Sequence, residues 1–246
     1  MNSLVGKRCT ITGGSRGIGL AIAQLFAAEG ATCTLIGRDP ETLASAKESL
    51  RKKKVDPQKH DIAAFDVASA QGWEDLIARM EKNESADILV NAAGASQSSL
   101  LSRTPAIDID KLIATNLMGT VWSCKYFVPK MMKQGSGCII NVSSLLATHG
   151  GRGSSVYAAS KAGVVGLTRA MASEVGRFGI RTNVLLPGYI QTDMTKGMDQ
   201  NGKLSALIPL GRLGLVEEVA EAALFLAKST YAHNCVLNID GGLSAT

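Results

Sequence analysis

Thr10-Ile11-Thr12-Gly13-Gly14-Ser15-Arg16-Gly17-Ile18-Gly19 closes a short β-rich run, Arg8–Thr12, and opens a helical pattern, Ile18–Glu29. Glycines at 13, 17 and 19 permit a tight turn, close approach of backbone to a diphosphate, and close helix–strand packing. The helix N-terminus aims free N–H groups at the same anion. Alone, the stretch would pass for an ordinary Gly-rich βα turn. After the first strand it reads as a nucleotide site built from Gly13, Ser15, Arg16, Gly17, Ile18 and Gly19.

Outward from that turn, β-rich runs at Thr32–Ile36, Ile62–Phe65, Ile88–Asn91, Cys138–Val142, Thr182–Leu186 and Val236–Ile239 alternate with helical patterns. The helices are expected at Glu41–Lys53, Gly72–Asn83, Ile109–Lys133, Val156–Phe178 and Val216–Ala227. Apolar strands separated by helices imply βαβ units and a parallel sheet covered on both faces, because a parallel return needs a long crossover. The expected fold is α/β: a doubly wound, Rossmann-type parallel sheet of about seven strands in three α/β/α layers, one domain over 1–246. The Gly- and Met-rich stretch Asp193–Gly214 breaks the alternation and reads as a substrate lid.

Composition narrows the function. Of the 246 residues, 46% are hydrophobic and 19% charged, which suits a folded chain with a large core. Net charge is +5, a mild bias toward anionic partners. The dense basic run Arg51-Lys52-Lys53-Lys54 reads as a solvated helix end. Aromatic residues are only 4% and do not interleave with that run, so no nucleic-acid partner is expected. No apolar run approaches the roughly 18–20 residues that cross a bilayer, and Met1–Arg8 resembles no targeting signal. The expectation is no membrane partner, and a cytoplasmic or mitochondrial-matrix compartment. Cys9, Cys33, Cys124, Cys138 and Cys235 are odd in number and sit in or beside apolar runs, as buried free thiols do. Histidines 60, 149 and 233 lack ligand spacing, so no metal site is expected.

Cofactor type is read after the second strand, where an NAD site usually places an acid on the ribose 2′-hydroxyl. Here Gly37 holds that place, and Arg38 beside it, with Arg16, suits the 2′-phosphate of NADPH. A one-residue shift of the strand end would bring Asp39 there instead. Asp66-Val67 and Asn91-Ala92-Ala93-Gly94 end the third and fourth strands, where open α/β sheets bind ligands. Tyr157-Ala158-Ala159-Ser160-Lys161 puts a phenol and an ammonium on one helix face, and Ser144 lies thirteen residues earlier at a strand end. A nearby cation favours phenolate by about 1.4 kcal/mol per unit of pKa lowering. Tyr157 would protonate a carbonyl oxygen, Ser144 would hydrogen-bond it, and Lys161 would also hold the nicotinamide ribose. Ser143, next door, is easily mistaken for the catalytic hydroxyl.

With these motifs and Pro187-Gly188 in the same order and spacing, the chain resembles the short-chain dehydrogenase/reductase family over nearly its whole length. The resemblance implies that Asn116 is a fourth catalytic residue, kinking its helix and holding a proton-relay water. It also implies that Pro187, Gly188, Ile190 and Thr192 contact the nicotinamide. Within the family, Asn141-Val142-Ser143-Ser144, Pro187 to Met194 and Asp240-Gly241-Gly242 look most like the 3-oxoacyl-[acyl-carrier-protein] reductases. That implies an acyl thioester substrate, carried on acyl-carrier protein or coenzyme A, and a homotetramer built partly from the two longest helices. Some relatives pair with a sister subunit instead. The two carrier-docking arginines of bacterial members look like Gly135 and Phe178 here, with Lys133, Arg177 and Arg181 nearby.

Overall fold

The computed structural model of the chain describes residues 3–50, 59–80 and 85–246. Seven strands form one sheet: β1 (Arg8–Thr12), β2 (Thr32–Gly37), β3 (Asp61–Ala64), β4 (Ile88–Asn91), β5 (Gly137–Val142), β6 (Ile180–Pro187) and β7 (Val236–Ile239). Their order is β3-β2-β1-β4-β5-β6-β7, and every pairing is parallel. The order reverses between β1 and β4, which opens a crevice at the carboxyl ends of those strands.

Helices cover both faces because alternate strand residues are apolar on both sides. Cys9, Ile11, Cys33, Leu35, Val90 and Ile140 pack under α1 (Gly17–Ala28), α2 (Pro40–Glu48) and α8 (Val216–Lys228), where Phe26, Leu43 and Leu226 are buried. The intervening residues Ile36, Leu89 and Ile139 pack on the other side. There they meet Trp73 of α3 (Ala70–Arg79), Phe127 and Met131 of α5 (Gly119–Gln134), and Met171 and Val175 of α7 (Ser155–Val175). Four cysteines are buried, Cys235 is half-buried, and all five are free thiols.

Several of the expected helices differ. Ile109–Lys133 is not one helix: α4 (Ala106–Ile113) passes through a wide π turn, Ala114–Met118, into α5. The helical pattern from Val156 ends at Val175, with a 3₁₀ turn over Gly176–Phe178. A short helix α6 (Leu146–His149), which has too few residues to show periodicity, follows β5. The helix expected over Glu41–Lys53 ends at Glu48, and the one expected over Gly72–Asn83 runs from Ala70 to Arg79. The basic run Arg51–Lys54 lies outside the described residues. No helix among the described residues is long and apolar enough to cross a membrane.

Candidate active site

A cavity of about 530 Å³ occupies the crevice. Its floor is the Gly-rich turn, and the glycines are required sterically. A Cβ on Gly13, whose φ is +67°, would meet Ala92 O and Ala93 Cα at 2.9 Å; one on Gly19 would meet Gly13 O at 2.3 Å. Thr12, which sequence reasoning passed over as an ordinary strand end, locks the two walls together: its Oγ1 accepts from the backbone N–H groups of Ala92 and Ala93, each at 3.1 Å. Arg16, at the N-cap of α1, makes no side-chain cap, so the first-turn N–H groups stay available to an anion.

Gly13, Ser15, Arg16, Gly17, Ile18, Gly19, Gly37, Arg38, Asp66, Val67, Ala92, Ala93, Gly94 and Thr192 all line this cavity. Val67 is held there by Trp73, whose indole donates to the Val67 carbonyl at 2.9 Å. Asp39 does not line it. Its carboxylate caps α2, accepting from Glu41 N at 3.0 Å, while β2 runs on through Gly37. No acid therefore stands at the end of β2, and the exposed cations Arg16 and Arg38 form no ion pair among the described residues.

Other expected residues lie elsewhere. Asn91 sits under the cavity wall, where it donates to Asn141 Oδ1 at 2.8 Å and accepts from Ser123 Oγ at 2.7 Å, a structural network in the core. Pro187, Gly188 and Ile190 do not line the cavity; Ile190 is buried, and its carbonyl accepts from the Thr195 hydroxyl. Phe65, Ala95, Ser96 and Thr115 line it without having been singled out, as do Asp193 and Met194 from the start of the expected lid. Their neighbours in sequence, Asp66, Gly94, Asn116 and Thr192, were the available signal.

Asn116, Ser144, Tyr157 and Lys161 do not themselves line the cavity; Asn116 and Lys161 stand just behind Gly94, which does. Gly94 is the junction: a Cβ there would lie 3.4 Å from Lys161 Nζ and 3.5 Å from Asn116 Oδ1, so the missing side chain keeps the space between them open. Asn116 is fully buried in the π turn. It accepts from Ala95 N at 2.8 Å and donates to Ala95 O at 3.0 Å and to Ser160 Oγ at 3.1 Å. Lys161 donates to Val142 O at 2.9 Å, and its Nζ is 6.0 Å from the Tyr157 ring centre. The Ser144 hydroxyl acts on the Tyr157 phenol in favour of the phenolate, whereas Ser143 donates to the Lys161 carbonyl at 2.7 Å and so braces the helix.

The expected lowering of the Tyr157 pKa is not found. Burial raises it above its ordinary value, outweighing the opposing effect of the Ser144 hydroxyl. Burial also brings the Lys161 ammonium down to about 8, weakening the cation meant to favour the phenolate. At neutral pH Tyr157 is thus held as the phenol, the form that can give a proton to a carbonyl oxygen.

The cavity volume falls in the usual 300–1,000 Å³ range for small-molecule and cofactor sites. Together with the bare helix N-terminus and the half-buried Tyr157 phenol beside Lys161, it suits an oxidoreductase that interconverts CH–OH and C=O groups with a nicotinamide cofactor. The chain belongs to the short chain dehydrogenase family, which it matches over residues 7–203. It is 42% identical over 253 residues to the 3-oxoacyl-[acyl-carrier-protein] reductase of Chlamydia muridarum, covering 99% of this chain and all of that one. It is 39% identical to carbonyl reductase family member 4 of Xenopus tropicalis, covering 96% and 98% of the two chains. The crystal structure of L-sorbose reductase from Gluconobacter frateurii, complexed with NADPH and L-sorbose, superposes with a TM-score of 0.89 at 31% identity, covering 99% and 98%.

Proposed function

We propose that the protein uses NADPH to reduce a 3-oxoacyl thioester, on acyl-carrier protein or coenzyme A, to the (3R)-3-hydroxyacyl thioester in fatty acid synthesis. The observation that carries the substrate class is the full-length 42% identity to a 3-oxoacyl-[acyl-carrier-protein] reductase. When bound, NADPH supplies the hydride that the carbonyl carbon takes up. Tyr157 gives its phenolic proton to the carbonyl oxygen, and Ser144 hydrogen-bonds that oxygen as its charge grows. Lys161 faces the ribose from beside Gly94. Asn116 keeps the opening to Lys161 in shape and holds a water there. Thr192 and the following lid residues, 193–214, close over nicotinamide and substrate.

Arg16 and Arg38 support NADPH over NADH, since both line the cavity and no carboxylate stands at the end of β2. A charge-assisted contact is worth roughly 1.5–3 kcal/mol, about ten- to a hundred-fold in affinity. Arg38→Ala is expected to raise the NADPH dissociation constant by that factor and leave NADH nearly unchanged, as followed by nucleotide fluorescence. Equal losses for both nucleotides would place the 2′-phosphate elsewhere.

The cations expected to dock a carrier are not at the mouth of this chain's own site. Arg181 is occupied, donating to the carbonyls of Leu226, Ala227 and Ala232. Arg177 follows α7, whose 21 residues put it about 30 Å from the Tyr157 end, and Lys133 lies in the last turn of α5. A homotetramer packed on α5 and α7 would offer those ends to a neighbouring copy. The likeness to carbonyl reductase family member 4 supports a second reading, the same chemistry on a free ketone or quinone. NADPH oxidation with acetoacetyl-carrier protein, acetoacetyl-coenzyme A, a quinone and a simple ketone decides between them. The thioester reading expects the highest kcat/KM with a thioester; a quinone that surpasses both thioesters overturns it.

A further inference from the structure

The N-terminus of α7, the helix that carries Tyr157, is not capped by its own sequence. Ser154 stands at the N-cap and makes no side-chain hydrogen bond there. The N–H groups of Val156 and Tyr157 belong to the first turn and have no carbonyl within the helix to donate to. Both donate to one distant atom: Gln97 Oε1, at 2.9 Å from Val156 N and 3.1 Å from Tyr157 N. Gln97 is buried, and its amide Nε2 is engaged as well, donating to Ser99 O and Thr104 Oγ1 at 3.0 Å each. A glutamine nearly sixty residues away thus does what Ser, Thr, Asp or Asn does locally at most helix starts.

The placement of Gln97 ties the cap to the cofactor cavity. Gly94, Ala95 and Ser96 line that cavity, and Ala95 is clamped at both its N–H and its C=O by Asn116. Two residues further on, Gln97 holds the Tyr157 N–H. The Tyr157 carbonyl is held too, accepting from Ser160 Oγ at 2.7 Å, and Ser160 Oγ accepts in turn from Asn116 at 3.1 Å. Both ends of the Tyr157 backbone therefore trace back to the segment after β4, through Gln97 on one side and through Ser160 and Asn116 on the other.

We propose that Gln97 is a positioning residue for the proton donor: it caps α7 in trans and sets the place of Tyr157 against the cavity wall formed by Gly94–Ser96. Displacing a reacting group by about 1 Å can cost on the order of a hundred-fold in rate, so a cap of this kind acts on turnover more than on nucleotide binding. The inference needs only the carbonyl chemistry of the family and is independent of which carbonyl compound is natural.

Gln97→Met keeps the length of the side chain and removes the acceptor; Gln97→Glu keeps the acceptor and adds a charge. In Gln97→Met, amide exchange at Val156 and Tyr157 should rise at least about ten-fold with the rest of the protein unchanged, and kcat with acetoacetyl-coenzyme A or a quinone should fall about ten- to a hundred-fold. The NADPH dissociation constant should stay within about three-fold. Gln97→Glu should restore amide protection and most of kcat. Its carboxylate should also raise the Tyr157 pKa, moving the rising limb for oxidation of 3-hydroxybutyryl-coenzyme A or a simple secondary alcohol upward by about one pH unit. Wild-type protection and kcat in Gln97→Met would overturn the proposal. So would equal impairment of both variants, or a Gln97→Glu pH limb that does not move; the last result decides alone if Gln97→Met does not fold. Absence of wild-type turnover with the thioester counts against the proposed substrate, and the quinone and amide measurements still test the cap.

Discussion

Tyr157→Phe is expected to keep the fold and the affinity for NADPH while losing about 10²–10⁴-fold in ketone turnover, the usual worth of a general acid. The substitution removes one oxygen, and the elements around it do not depend on that oxygen. Lys161 is fixed by the Val142 carbonyl, and the Tyr157 backbone is held by Gln97 and Ser160. What disappears is the one proton that the half-buried phenol can deliver. Ser144→Ala should lose less, because a water can take over part of a hydroxyl's hydrogen bonding. A Tyr157→Phe enzyme that keeps a tenth or more of wild-type turnover in a chemistry-limited assay would show that the proton comes from another group.

Gly19→Ala is expected to weaken NADPH binding by about a hundred-fold, roughly 2.7 kcal/mol. The added methyl would lie 2.3 Å from Gly13 O and 2.7 Å from Gly13 C, both backbone atoms. The Gly13 turn cannot simply retreat, since its other side already lies against the Ala92–Ala93 backbone. Something in the floor of the cavity must move, and the free N–H groups of α1 move with it. Gly166→Ala is the control: nothing lies within 4 Å of the added atom, and alanine favours a helix interior. Nucleotide fluorescence titration with thermal melts separates the two effects. An NADPH affinity within three-fold of wild type in Gly19→Ala would mean that the turn does not form the diphosphate seat.

Most of the sheet was legible because its signal is local. Each strand is a short apolar run, and β1, β4 and β7 have the bounds that the sequence suggests. The Gly-rich turn was legible in part for the same reason, since the restriction on Gly19 arises from Gly13, six residues earlier, whereas Gly13 is confined by the distant Ala92 and Ala93. Asn116 is different. Its wide turn depends on Ala95 and Ser160, which are distant in sequence, so periodicity alone reads the region as one long helix. Gln97 was invisible for a similar reason: a polar residue in a loop shows nothing of the helix it caps. The rise in the Tyr157 pKa was misjudged because the spacing to Lys161 reveals a partner but not the burial that both groups undergo.

The π turn over Ala114–Met118 also separates two properties that are usually lost together. A widened turn absorbs about one residue's worth of helical rotation. Leu112 before it and Ser123, Cys124 and Phe127 after it all keep their buried faces. Deleting a single residue inside the turn would therefore let α4 and α5 merge into one regular helix with both apolar faces still in phase, whereas the same deletion further along α5 would rotate everything after it out of the core. Within α4 and α5 this is where the chain could shorten and keep its buried faces, and what it would give up is the grip of Asn116 on Ala95. If Asn116 serves the reaction as proposed, activity and structural integrity are written here in separate residues, and a well-folded descendant of this sequence can be an inactive one.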